Sequence, residues 1–103
     1  MKKLINLEPN FFSKDQKKIL QNKFSYNEAD KSRKEIKKII GKYHIVLSRL
    51  KFKFDKDLLK HARNLEVLVT FTTGLTHIDL VEIKKRKIKV ISLKNENNFL
   101  KKI

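Results

Sequence analysis

Residues 65–80, LEVLVTFTTGLTHIDL, carry the pattern that decides the fold of this chain. The run at 65–69 is mostly apolar, as in a strand of a parallel sheet that is covered on both faces. The loop that follows contains Gly74 and has no lysine from Thr70 to Leu80. Residues 76–79 have the spacing of a helix-capping arrangement, so we expect a helix to begin near Thr76. The stretch therefore predicts a strand, a loop and a helix.

The same alternation of strand and helix runs along the whole chain. Short apolar runs predict strands near residues 4–7, 24–26, 43–47, 65–69 and 88–93. Helices are expected after Ser13 and Ser32, which both open capping boxes, after Asp55, and near Thr76. Five strands separated by helices indicate a three-layer, flavodoxin-like α/β domain with a five-stranded parallel sheet in the order 2-1-3-4-5.

Several single positions carry more detailed expectations. Ile19 and Leu20 should lie on the buried face of the first helix. Gly41 should end the second helix in the left-handed conformation. Gly74 either lets an anion approach the backbone closely or meets a tight turn that needs a positive φ angle. The tail, residues 94–103, is rich in Asn and is expected to contain turns and an incipient helix.

In the predicted sheet order, the third and fourth strands are neighbours. Their exit loops, at Ser48-Arg49 and around Thr73-Gly74, should meet beside Glu8 at the edge where ligands of open parallel sheets bind. A loop that leads into a helix N-terminus offers unpaired N–H groups and a positive dipole, which attract a carboxylate or a phosphate. This edge is therefore the candidate binding site.

Composition limits the classes of function. The chain of 103 residues is one domain at most, and its net charge of +15 raises the question of nucleic-acid binding. Only four basic residues are arginine, and the lysines are spread over every segment, which disfavours nucleic acid as the main partner. Without cysteine there is no disulfide or thiolate metal site, and the composition suits a reducing cytoplasm. No apolar run approaches the roughly 18 residues that span a bilayer, so we expect a cytoplasmic protein without membrane contact.

Two segments, residues 64–80 and 85–94, closely resemble the D-isomer-specific 2-hydroxyacid dehydrogenases, especially the phosphoglycerate-dehydrogenase-like members. The family pattern is an apolar strand, a Gly-x-x-(Asn/His)-Ile-Asp turn, a helix and a strand of the form Ile-x-Val. The turn matches from Gly74 to Asp79. The resemblance extends back through residues 49–59 and, more loosely, to the N-terminus.

The resemblance implies that residues 1–93 are the N-terminal portion of the substrate-binding (catalytic) domain and that residues 94–103 lead toward an NAD-binding domain. It implies that the backbone amides of Thr73 and Gly74 hold the carboxylate of a small 2-hydroxy or 2-keto acid. Arg49 stands where relatives carry an arginine that binds carboxylate or phosphate; a salt-bridged structural arginine is the alternative. Leu50 and Phe52 depart from the serine and threonine of many relatives, which reduces the polar part of that loop.

Family members need NAD or NADP, whose fingerprint requires three glycines at fixed spacing. The chain has only Gly41 and Gly74, so we expect it to bind no cofactor alone. We also expect no catalytic residue: His44, His61 and His77 lie on separate elements without metal-ligand spacing, and His77 matches a structural turn position of the family.

The expected function is thus the substrate side of an NAD-dependent D-2-hydroxyacid dehydrogenase, here a truncated fragment inactive alone, with a homodimer possible in the full-length form. The sequence leaves open two alternatives: a small basic nucleic-acid-binding domain and a stand-alone carboxylate-binding α/β domain.

Overall fold

The computed structural model describes residues 1–92, and the expectations for the tail at 94–103 lie outside that range. Within it, the strands are β1 (Lys3–Asn6), β2 (Ser25–Glu28), β3 (Ile45–Ser48), β4 (Val67–Thr70) and β5 (Lys89–Ser92). The α-helices are α1 (Lys14–Lys23), α2 (Arg33–Ile39), α3 (Lys56–Leu59) and α4 (Leu80–Lys85), and short 3-10 helices span Pro9–Phe11 and Ile40–Lys42. The predicted alternation of strand and helix is confirmed.

The strands form one parallel sheet in the order β2-β1-β3-β4-β5, as predicted. A continuous register crosses its centre, where Ile5 pairs with Val46, Val46 with Leu68, and Leu68 with Val90. These positions are apolar because both faces of the sheet are covered. The flavodoxin-like α/β fold class is therefore confirmed.

The core lies on both faces of the sheet. On one face, alternate strand residues pack against α2, α3 and α4, in a cluster that contains Ile5, Val46, Leu68, Ile36, Leu58, Leu59 and Ile83. On the other face, the intervening strand residues pack with Leu20 of α1 and with aromatic rings, in a cluster that contains Leu4, Leu47, Val69, Ile91, Phe12 and Phe71. The two-residue period of the strands divides the apolar side chains between these layers.

The sequence signals for helix starts are accurate for the first three helices. Ser13 and Ser32 form complete capping boxes with Gln16 and Glu35, and Asp55 caps α3. The burial expectation for α1 is half correct: Leu20 is fully buried, but Ile19 is exposed. The stripe that α1 turns toward the sheet is too narrow to bury both neighbours.

The expectation for Gly41 is wrong. No described glycine has a positive φ angle, and Gly41 lies inside the second 3-10 helix. A Cβ atom at this position would come within 2.8 Å of the backbone carbonyl oxygen of His61, and the Asn64 side-chain amide donates a hydrogen bond of 2.7 Å to the Gly41 carbonyl. The chain needs glycine here because two backbone segments, twenty residues apart in sequence, approach each other closely.

We predict that Gly41→Ala lowers the free energy of unfolding by about 1–3 kcal/mol, since the added methyl group forces the His61 backbone to move. Gly74→Ala is the matched control: a Cβ atom there meets nothing within 4 Å, so its effect should stay within about 0.5 kcal/mol. Urea unfolding followed by circular dichroism measures both. Equal losses of stability in the two variants would contradict this account.

Candidate functional site

The carboxyl ends of β3 and β4 border a concavity of about 360 Å³. Its lining comes from the loops after these strands and consists of Arg49, Leu50, Phe71, Thr72, Thr73, Gly74, Thr76 and His77. The structure thus brings the three residues singled out from the sequence, Arg49, Thr73 and Gly74, to one place. Parallel pairing of β3 with β4 causes this, because it aligns Ser48 with Thr70 and starts both loops at the same edge.

Two main-chain hydrogen bonds tie the two loops together below the concavity. The N–H of Phe54 donates to the carbonyl of His77 at 2.8 Å, and the N–H of Asp79 donates to the carbonyl of Phe54 at 2.9 Å. They form an isolated parallel bridge between Phe54 and Ile78. Both residues are buried, so the bridge is shielded from water. The separation of the loops is therefore fixed by the backbone.

The loop of residues 72–74 is held through its acceptors. The Thr72 hydroxyl donates to the Gly74 carbonyl at 2.8 Å, and the Ser92 hydroxyl donates to the Thr72 carbonyl. The N–H groups of Thr73 and Gly74 donate no hydrogen bond to any partner within residues 1–92. Both residues are exposed, so these two donors are available to a ligand.

Gly74 does not serve a turn with a positive φ angle, so that alternative is wrong. A Cβ atom there would enter open space, which means that no contact within the described chain requires glycine. The helix expected near Thr76 is also wrong: α4 begins at Leu80, and the Asp79 side chain caps it by accepting from the N–H of Glu82 at 3.1 Å. The bridge to Phe54 keeps residues 77–79 out of the helix. The groups available to an anion here are therefore exposed N–H groups and Arg49, and not a helix N-terminus.

Arg49 is anchored through its backbone. Its N–H donates to the Glu8 carboxylate, which also accepts from the Ser48 hydroxyl at 3.1 Å. The guanidinium lies over the Phe11 ring, 4.5 Å from the centroid, and forms no ion pair within residues 1–92. The alternative of a salt-bridged structural arginine does not fit the described part of the chain. Its charge is available at the concavity.

His77 belongs to a side-chain network that the sequence did not reveal. Its Nε2 lies 3.1 Å from the Thr70 hydroxyl oxygen, which lies 3.0 Å from that of Thr72. Its Nδ1 is buried without a hydrogen-bond partner. Burial lowers the pKa of His77, and the negative charge of Glu8 offsets part of that shift. The spacing of Thr70 and Thr72, two residues apart, was the available signal, because alternate residues of an extended segment share a face.

The two residues that depart from the family pattern have different positions. Leu50 is 65% exposed and lines the concavity, whereas Phe52 is buried in the core. Leu50 gives the rim an apolar surface. Phe52 acts in packing.

The opposite edge of the sheet carries a second concavity, of about 410 Å³, lined by Lys37, Lys38, Gly41, Lys42, His61, Arg63 and Asn64. The sequence had indicated evenly scattered basic residues, and the fold gathers several of them here. Lys37 pairs with Asp57, which reduces the local excess of charge. Among the described residues, Arg63 is the one arginine that lines this concavity, and arginine is the side chain best suited to bidentate hydrogen bonds with bases.

The exit of β1 does not suit the pyrophosphate of a dinucleotide. The strand exits that could cradle a pyrophosphate include that of β1, where Glu8 supplies a negative charge and Pro9 has no N–H. Within residues 1–92 there is also no cluster of three or more side chains able to hold a metal ion. None of the helices in this range combines the length and apolar character that a bilayer crossing requires.

The sheet order and the helices on both faces define the chain as a flavodoxin-like α/β domain. A model of the catalytic domain of D-isomer specific 2-hydroxyacid dehydrogenases matches residues 7–98. The chain belongs to this family, and the resemblance inferred from its sequence is confirmed.

Several solved structures share this fold. A protein from Pyrococcus horikoshii matches with a TM-score of 0.82 and 23% identity over 90% of this chain. The 3-phosphoglycerate dehydrogenase of Entamoeba histolytica, solved with NAD+ bound, matches with a TM-score of 0.72 and 20% identity over 88% of this chain. The D-lactate dehydrogenase of Aquifex aeolicus, in complex with NAD and lactic acid, matches with a TM-score of 0.69 and 21% identity over 87% of this chain. The chain spans 28%, 32% and 27% of these three proteins, respectively. A search of curated protein sequences gave no match.

We predict a pH dependence of stability caused by His77. Its pKa is lower in the folded chain than in the unfolded chain, so the unfolded chain binds more protons below about pH 6.5. The free energy of unfolding should therefore fall as pH decreases from about 7.5 to 5. Urea unfolding across this range should give a flatter profile for His77→Gln than for the unaltered chain.

His61→Gln is the matched control, because it leaves the hydrogen bond between His77 and Thr70 in place; it should keep the original profile. Identical profiles for the unaltered chain and His77→Gln would contradict the assignment.

Proposed function

We propose that this chain is the substrate side of an NAD-dependent D-2-hydroxyacid dehydrogenase, an oxidoreductase that acts on the CH–OH group of 2-hydroxy acids. Membership in the family supports the proposal at the level of fold and class. One observation carries it at the level of residues: the N–H groups of Thr73 and Gly74, which have no partner within residues 1–92, share a small concavity with Arg49, whose guanidinium forms no ion pair in that range.

This arrangement suits a carboxylate. Hydrogen bonds from N–H groups to an ionised acceptor are about twice as strong as those between neutral groups. Arg49 adds a charged donor that remains protonated at any physiological pH. A 2-keto acid held by its carboxylate has its reactive carbonyl one bond away, so the grip also orients the carbon that changes oxidation state.

The chemistry of reduction belongs to the nicotinamide cofactor, NAD or NADP, which supplies or accepts the hydride. We assign no catalytic residue to this chain. Its own residues bind and orient the acid, and the lining of the concavity by Leu50 and Phe71 limits the water around it.

The wider organisation follows the same proposal. Residues 1–93 serve as the substrate-binding domain, and residues 94–103 lead toward an NAD-binding domain, with a homodimer as the candidate assembly of the full-length form. The absence of cysteine from the chain supports a cytoplasmic location.

We predict that pyruvate or glyoxylate at millimolar concentration shifts the backbone amide resonances of Thr73 and Gly74. Arg49→Gln should weaken this binding about tenfold, the equivalent of 1.4 kcal/mol, because it removes the cation. Titrations followed by ¹⁵N–¹H correlation spectra measure both effects.

Arg63→Gln, at the opposite edge of the sheet, is the matched control and should bind like the unaltered chain. Absence of a shift at Thr73 and Gly74, or equal weakening by both substitutions, would remove the assignment.

We further predict that the 103-residue chain binds these acids without reducing them. It has two glycines, whereas the dinucleotide fingerprint needs three, and Glu8 opposes a pyrophosphate at the end of β1. In a mixture of the chain, pyruvate and NADH, the absorbance of NADH should decrease no faster than in buffer without the chain. NADH oxidation that disappears in Arg49→Gln would contradict this prediction.

A stand-alone carboxylate-binding domain is the second candidate. The same free N–H groups favour it, and it requires no cofactor. A stand-alone domain should bind the acid equally well with or without a separately supplied NAD-binding domain of the family. A dehydrogenase half should instead bind that NAD-binding domain.

A further inference from the structure

Arg49 is contacted by the segment of residues 8–11 at two separate points. Glu8 lies just beyond β1, and its Oε2 accepts from the Ser48 hydroxyl, from the N–H of Arg49 and, at 3.4 Å, from the N–H of Lys51. Three donors, from the last residue of β3 and from the loop that follows it, thus converge on one oxygen atom. The contact joins residues about forty positions apart and fixes the backbone on both sides of the Arg49 side chain.

Glu8 is itself held in place by the sheet. Its N–H donates to the side-chain oxygen of Asn6 at 3.0 Å, and Asn6 is fully buried. The Asn6 amide donates in turn to the Tyr26 hydroxyl at 3.2 Å, and that hydroxyl donates to Glu28 at 2.7 Å. Asn6 therefore bonds to Glu8 and Tyr26 from a fully buried position, which restricts its motion. The carboxylate of Glu8 is therefore a fixed point for the Arg49 loop.

The second contact orients the side chain of Arg49. Phe11 ends the 3-10 helix that follows Glu8, and its ring lies under the guanidinium. The ring is 48% exposed, so apolar burial alone does not explain an aromatic residue here. A cation above an aromatic face is stabilised without losing its charge or its hydrogen-bond donors. Arg49 can hence be positioned by Phe11 and still bind an anion.

We propose that residues 8–11 are a positioning element for Arg49: the Glu8 carboxylate fixes its backbone and the Phe11 ring fixes its guanidinium at the mouth of the concavity. The inference rests on the proposed function, in which Arg49 binds the substrate carboxylate. Glu8 and Phe11 act through Arg49 and do not touch the substrate.

The proposal conflicts with simple electrostatics, which makes it testable. Glu8 is a negative charge beside a site for an anion, so its removal should tighten the binding of a carboxylate by Coulomb's law alone. Positioning predicts the opposite effect. Moreover, Glu8→Gln and Glu8→Ala remove the same charge, but only Gln retains an oxygen that accepts the loop hydrogen bonds.

The experiment measures the affinity of the 103-residue chain for pyruvate by amide titration. Glu8→Ala should weaken binding about fivefold, Phe11→Leu about threefold, and Glu8→Gln less than Glu8→Ala. In an Arg49→Gln background, Glu8→Ala should have no further effect, because a positioning residue has nothing left to position. Glu66→Gln, at the other end of the sheet, is the matched control for loss of one carboxylate.

Side-chain resonances of Arg49 provide a reading without ligand. The Phe11 ring current shifts them in the unaltered chain, and both Phe11→Leu and Glu8→Ala should reduce that shift. The positioning role would be overturned if both Glu8→Ala and Glu8→Gln bound pyruvate as tightly as the unaltered chain or more tightly. An unchanged ring-current shift in Glu8→Ala would overturn it as well. Absence of pyruvate binding by the unaltered chain would instead overturn the proposed function, and the ligand-free resonances would then decide the positioning of Arg49 separately.

Discussion

The parallel alignment of β1, β3 and β4 is the constraint on which the candidate site depends. In a parallel sheet every strand leaves at the same edge, so residues distant in sequence meet there without a long loop. Asn6 pairs with Leu47, and Ser48 with Thr70, which places Glu8, Arg49 and the loop of residues 72–74 side by side. A slip of one residue in either pairing would exchange the faces of the strand and separate these groups.

Within that frame, the groups available to an anion differ from those that the sequence suggested. A helix N-terminus supplies about half a positive charge within its first turn. Here α4 begins six residues after Gly74, so its dipole lies beyond the loop. Two carbonyl groups of the loop instead accept from hydroxyl donors, and in the part of the chain that the structure describes two of its N–H groups have no partner. Both residues are exposed, so these N–H groups face water and are accessible to the acceptor oxygens of a ligand.

The parts of the structure that could be predicted from sequence are those set by local chemistry. Capping boxes located α1 and α2, and apolar runs located the strands, because both signals act over a few neighbouring residues. The errors concern contacts between distant segments. Gly41 is required by the His61 carbonyl, and the start of α4 is delayed by the bridge between Phe54 and Ile78. Neither contact leaves a trace in the local sequence.

Glu8 affects both the end of β1 and the loop that carries Arg49. In open α/β sheets, the exit of the first strand is a place where other proteins bind phosphate, through a glycine-rich loop with free N–H groups. Here the same place carries a carboxylate, whose acceptor oxygen takes up the hydroxyl of Ser48 and the N–H groups of Arg49 and Lys51. One side chain therefore makes the end of β1 unsuitable for a pyrophosphate and at the same time gives the Arg49 loop its fixed backbone.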